Sequence, residues 1–294
     1  MKMYQKANSF ILYFISFFAA FSPNFAQSEV NNLFSDKNRL AFGNYLFSEK
    51  DYFRAIDEFK PILENKWNDT LQFKIATSYL RMQQFGIAIY EFQKLEPNST
   101  LKIENKYEQL RAIFYLDDFS VLHGEIEKIL PNSSYNSKNL IQLMNSAMLL
   151  DNSKLPPKTE FVSVYSNEDK KRISDLYKWK ENPPYKNPTK AAILSAILPG
   201  LGKIYTNDVG DGITSFVLTG LFSYLAINKF NNNQQTSALI YTALATFFYS
   251  GNIYGSYASA QNYNAGIKFN FENEVKIFVN DRNQFLPIPK FLSD

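Results

Sequence analysis

The chain has 294 residues, no cysteine, one histidine and a nearly even charge balance, with 31 Lys and Arg against 28 Asp and Glu. That composition excludes disulfides, thiol nucleophiles, cysteine-held zinc, a lipid-modified cysteine and two-histidine zinc sites, and it carries no basic footprint for nucleic acid. The length leaves room for about two domains, and the 16% aromatic content, mostly Phe and Tyr, suits helix packing and membrane interfaces alike.

Lys2 and Lys6 precede the apolar stretch Phe10–Phe21, the layout of an export signal over residues 1–26. Cleavage would fall at Phe25-Ala26-Gln27 or nearer Ala20; an uncleaved anchor is the alternative. Either way, the segment that follows is expected outside the cytoplasm. From about Leu33 to Leu150 the apolar pattern is helical and repeats. Tyr52, Ala55 and Phe59 recur as Phe85, Ala88 and Phe92, a shift of 33 residues. One helix earlier, Gly43 and Ala76 are the matching small residues, followed by Leu46 and Tyr79. Phe119, Leu122, Ile126 and Ile129 form a degenerate third copy, with Leu122 in place of the small residue. Ser137–Leu150 is predicted as a further helix closing the stack. A small side chain on each helix lets its partner approach, and the aromatic one turn on fills the gap.

These positions resemble tetratricopeptide repeats in period and in the placement of small and aromatic residues. The resemblance implies a solenoid of helix pairs over residues 33–150, stacked because single pairs cannot bury their own faces. It also implies a concave surface on the first helix of each pair, carrying Asn44, Thr77 and Arg81, as a groove for a peptide or protein partner. Ordinary solvated helix residues are the other reading of the same three positions.

Residues 151–188 read as a linker with one helix, bounded by Leu155-Pro156-Pro157 and by Asn182–Pro188. Ser166 and Asp169 open that helix at capping-box spacing. Tyr177, Trp179 and Tyr185 suit a membrane interface, and Trp179 suits packing against the repeats equally well. Residues 189–266 read as a membrane module. Its first apolar run, Lys190–Leu198, is too short to span a bilayer and reads as an interfacial or re-entrant helix stopped by Pro199, Gly200 and Gly202. Two uncharged stretches follow, Gly212–Asn228 and Phe230–Ile267, separated by Lys229 with a polar turn at Asn231–Gln235. About 17–25 apolar residues cross a hydrocarbon core of ~30 Å as a helix, so the pair reads as a transmembrane hairpin. Ser, Thr, Ala and Gly on both stretches suit close packing between them. Asp208 and Asp211 read as caps of the coming helix. Lys229 would mark the cytoplasmic turn, while Lys186, Lys190 and Lys203 fall on the opposite side, against the positive-inside tendency.

The run Leu194-Ser195-Ala196-Ile197-Leu198-Pro199-Gly200-Leu201-Gly202-Lys203-Ile204-Tyr205, then Asp211-Gly212, then Gly251-Asn252-Ile253-Tyr254-Gly255 and Ala260–Asn264, resembles an uncharacterised bacterial two-helix membrane module. More loosely it is similar to the TM2 domain, which also sets a glycine turn and a tyrosine before its hairpin. The motif positions are Ser195, Pro199, Gly200, Gly202, Tyr205, Asp211, Gly212, Gly251, Asn252, Tyr254 and Asn262. The resemblance carries little function with it.

In the tail, residues 267–294, the alternation of Ile267, Phe269 and Phe271, then Val275, Ile277 and Val279, is compatible with a short β-hairpin turning at Glu272–Glu274. Chemistry-bearing motifs are missing. His123 has no nucleophile elbow near it, Gly200-Leu201-Gly202 lacks the third glycine and the strand of a dinucleotide fingerprint, and Asp117-Asp118 reads as a solvated turn. No enzyme activity, cofactor or metal is expected. The combined expectation is an all-α chain, a TPR-like solenoid followed by a transmembrane helical hairpin, held in the bacterial inner membrane with the repeats on the periplasmic side. Its role would be protein interaction or scaffolding in the cell envelope, or alternatively part of a transport or protein-insertion system. Its partners would be the membrane and a protein or peptide, with no nucleic acid.

Overall fold

The computed structural model describes residues 33–132 and 136–281. The expected signal segment, residues 1–26, lies outside the described residues, as do residues 282–294 of the tail. The described residues form thirteen α-helices and no strand, and they divide into two compact units between Asp117 and Asp118.

The first unit contains α1 (Asp36–Ser48), α2 (Tyr52–Asn65), α3 (Asp69–Arg81), α4 (Phe85–Gln93) and α5 (Lys102–Tyr115). Ser35, Asp51 and Asn68 stand before the first three and accept a backbone N–H three residues on, satisfying donors that a helix start leaves free. The packing follows side-chain size. A Cβ on Gly43 would lie 2.6 Å from the Phe59 ring, so only glycine lets α2 come this close to α1. Ala55, Phe59, Ala88 and Phe92 are all fully buried. Ala76 shares a core cluster with Phe92 and with Ala112 of α5. Helix α3 is the middle of the unit: every residue from Leu71 to Ser78 is buried.

The repeat is also written in the backbone. Lys50 and Gln83, 33 residues apart, both adopt left-handed φ values, 63° and 60°. At each, the left-handed residue's N–H bonds the carbonyl three back and the next N–H bonds the carbonyl five back, closing the helix with a Schellman turn.

The second unit contains α6 (Phe119–Ile129), α7 (Ser137–Leu150), α8 (Lys158–Ser163), α9 (Asn167–Glu181), α10 (Pro188–Ile197), α11 (Leu201–Tyr205), α12 (Val209–Asn231) and α13 (Gln235–Asp281). Leu122 and Ile126 are buried here. The 151–188 segment holds two helices, α8 and α9, where the sequence suggests one. Helix α13 runs for 47 residues, ~70 Å at the usual rise. Its first part pairs with α12 as an antiparallel hairpin across the turn Asn232–Gln234, and Phe222 stacks on Phe248 with ring centroids 5.1 Å apart.

The last part of α13 corrects the expected β-hairpin. Residues 267–281 continue the helix, and Phe271, Val275, Phe278 and Val279 are the buried positions. That set follows helical spacing, i, i+4, i+7 and i+8. The apparent alternation arose because Val275 and Val279 share a helix face, while Ile277 between them is exposed. Trp179 of α9 meets Phe271 edge-on at 5.5 Å, and Tyr165 lies 5.9 Å from Phe278. Arg172 reaches Glu274 at 3.2 Å and Asp281 at 3.5 Å. Below this layer, the buried Tyr165 hydroxyl donates to the Gln142 carbonyl at 3.2 Å and Asn145 donates to the Phe161 carbonyl at 3.2 Å. Burial pushes the Tyr165 phenol well above the ordinary tyrosine range.

Candidate functional site

A densely bonded polar locus of the second unit is the junction where α10, α11 and the start of α12 meet the middle of α13. Pro199 and Gly200 end α10, which leaves its last carbonyls without helical partners. Helix α13 supplies them. Asn252 donates to the Ser195 carbonyl at 3.2 Å, and Tyr249 donates its hydroxyl to the Ala196 carbonyl at 2.8 Å. The same Asn252 accepts the Gly200 N–H at 2.9 Å. Ser195 Oγ accepts the Gly202 N–H at 2.9 Å and shares a 2.6 Å hydrogen bond with Ser256 Oγ. Ser195, Asn252 and Ser256 are all buried.

Three glycines make the approach possible. Gly200 has φ +87°, which L side chains rarely adopt, and a Cβ there would stand 1.9 Å from the Gly212 carbonyl oxygen. A Cβ on Gly202 would stand 1.9 Å from the Ala191 carbonyl oxygen, and one on Gly212 would meet Ile204 at 2.7 Å. Beside them Thr206 Oγ1 and Ser259 Oγ are 2.6 Å apart. Tyr205 accepts the Asn187 N–H at 3.3 Å, and Lys203 pairs with Asp211 at 3.6 Å. A cavity of about 240 Å³ opens next to this pair, lined by Thr214, Ser215, Phe247 and Asn252 among others.

The motif residues therefore separate. Ser195, Pro199, Gly200, Gly202, Tyr205, Asp211, Gly212 and Asn252 come together. Gly251 and Asn262 are exposed, and Tyr254 is 76% exposed. Sequence reasoning missed Tyr249, Thr206, Ser256 and Ser259, and it held Asn264 in the motif run without singling it out. A stripe on α13 would have found most of them: Asn252, Ser256, Ser259, Ala260 and Asn264 are small or polar and recur at helical spacing on one face.

In the first unit, the three proposed groove residues do not share a surface of one kind. Asn44 is half-buried and its side-chain oxygen accepts from Lys74 at 2.8 Å. Thr77 is buried with its hydroxyl unbonded, and Arg81 is exposed.

Chemically, the junction is closed on itself. Its buried hydroxyls and amide bond one another or the ends of α10 and α11, an arrangement that fixes helices in position. Among the described residues, no group of three or more His, Asp or Glu is gathered to hold a metal ion. Neither a family model, nor a curated protein, nor a solved structure matches the chain.

Proposed function

We propose that this chain is a membrane-anchored interaction or scaffolding factor of the bacterial cell envelope. In this reading the first unit is a TPR-like recognition stack, and α12 with the first part of α13 is a transmembrane hairpin. The junction around Asn252 is the clamp that holds α10 and α11 to it.

One observation carries the reading. Helix α12 is long and apolar enough to cross a membrane, yet only 17% of its most apolar stretch is buried against the rest of the protein. Ile213, Phe216, Val217, Leu221 and Ile227 are exposed, as are Leu239, Ile240 and Phe247 on α13. These side chains are about half exposed, so leaving them in water forgoes on the order of 1 kcal/mol each. In hydrocarbon that cost vanishes, and 23 residues of helix cover about 35 Å, enough for the bilayer core. The clamp fits the same solvent, since lipid offers no partner for a free backbone group.

The 33-residue recurrence of the turns at Lys50 and Gln83, and the seating of Phe59 on Gly43, support the TPR-like assignment of the first unit. Arg81 is the exposed member of its proposed groove. The export-type N-terminus supports a periplasmic position for that unit. A transport path is the weaker reading, because the hairpin helices face each other through Phe222, Tyr241 and Phe248. Membranes washed with alkaline carbonate test the proposal: the chain should stay in the pellet and leave it only with detergent. Release into the carbonate supernatant would overturn the proposal.

A further inference from the structure

Two ammonium groups converge on one ring just before the apolar hairpin. Lys186 Nζ lies 4.8 Å and Lys190 Nζ 5.3 Å from the Tyr205 ring centre, and Lys186 Nζ lies 5.7 Å from that of Tyr263. Neither lysine has a carboxylate within 4 Å among the described residues, in contrast to Lys203 nearby, which is paired with Asp211. Their roots are held. The Lys186 N–H donates to Asn264 Oδ1 at 2.7 Å, and the Lys186 carbonyl accepts from Asn264 Nδ2 at 2.8 Å. Asn187 donates its N–H to the Tyr205 hydroxyl and accepts the Lys190 N–H at 3.0 Å, capping α10.

Two ammonium groups held against one ring repel one another. The faces of the tyrosine rings offset part of that repulsion. An anion with several acceptor oxygens would offset the rest through charge-assisted hydrogen bonds. The depth is also defined: Val209, the first residue of α12, follows Tyr205 by four positions. With α12 across a bilayer, the tyrosines and both ammonium groups lie at headgroup level, where tyrosine is enriched.

We propose that Lys186, Lys190, Tyr205 and Tyr263 form a phosphate-binding site for an anionic phospholipid headgroup. The proposal rests on the membrane reading above.

The test uses the full chain in mild detergent, titrated with phosphatidylglycerol or phosphatidylcholine and followed by native mass spectrometry. Each juxtamembrane lysine is worth about fivefold in binding to anionic lipid, so Lys186→Gln with Lys190→Gln should lower the preference for phosphatidylglycerol roughly 25-fold. The corresponding arginine pair should retain it. Lys190→Gln alone, at an exposed position, carries the same test at about fivefold if the pair does not fold. Equal preference in wild type and the glutamine variants overturns the proposal. Displacement of the lipid by millimolar inorganic phosphate, lost in the same variants, would assign the site to free phosphate and overturn the lipid assignment. Carbonate washing of the source membranes keeps the two ideas apart. A chain that washes off defeats the membrane reading, whereas one that stays but shows no lysine effect defeats only this site.

Discussion

Replacing Gly202 by alanine is the sharpest perturbation of the clamp. The added Cβ would sit 1.9 Å from the Ala191 carbonyl oxygen and 2.7 Å from Ser195 Oγ. Helix α11 would have to retreat from α10 by roughly 1.5 Å to regain ordinary contact. That movement stretches the 2.9 Å bond from the Gly202 N–H to Ser195 beyond hydrogen-bonding range and disturbs the Ser195–Ser256 pair behind it. Overpacking costs about 1–3 kcal/mol, and a stranded buried donor adds about 1–3 kcal/mol. A loss on the order of 2–5 kcal/mol is therefore expected, read as thermal or denaturant unfolding of the detergent-solubilised chain. Gly251→Ala is the matched control. It lies in the same sequence motif, but nothing stands within 4 Å of its added Cβ. Helix propensity alone then acts, for a gain of up to about 1 kcal/mol. Equal stabilities for the two variants would refute the close-approach argument.

Asn252→Ala should strand the Gly200 N–H and the Ser195 carbonyl together, at about 2–4 kcal/mol in the same assay; a change below about 1 kcal/mol would mean that water or lipid headgroups replace both bonds. Gln83→Gly relieves a left-handed backbone at an exposed turn, so the first unit should gain about 0.5–1 kcal/mol, whereas Gln83→Val should lose stability. For Tyr165 the folded phenol titrates above its unfolded value of about 10, so the unfolded chain releases its proton first. The tyrosine's contribution is whole below pH 10 and declines as the pH climbs past it. Tyr165→Phe should cost about 1 kcal/mol near neutrality through the lost bond to Gln142, yet flatten the alkaline decline in a pH series of melts. An unchanged alkaline slope would rule this out.

Much of the helical order was legible because it rests on side-chain size at fixed spacing. Gly43, Ala55, Ala76 and Ala88 mark where helices touch, and that information is local. The junction was half legible. Gly200, Gly202 and Gly212 stand out as backbone contacts, but Gly251 looks the same in the sequence and a Cβ there would meet no neighbour. The difference lies in what faces each glycine, which a linear pattern does not contain. Thr77 lies inside the unit because α3 is covered along nearly its whole length, a consequence of stacking and not of its own periodicity. The tail was misread because Val275, Ile277 and Val279 satisfy a period of two over five residues, while the deciding contacts to Trp179 and Tyr165 come from far upstream.

The unbroken length of α13 makes angular phase a property of the whole second unit. One residue inserted between Asn264 and Phe271 would turn everything beyond it by about 100° and lift it by ~1.5 Å. Phe271 and Phe278 would then swing away from Trp179 and Tyr165, although every inserted atom lay in solvent. A seven-residue insertion would nearly restore the heading. Between the Asn252 clamp and the aromatic seat, the residue count thus fixes an angle as well as a distance, and a twist imposed at one end is delivered to the other.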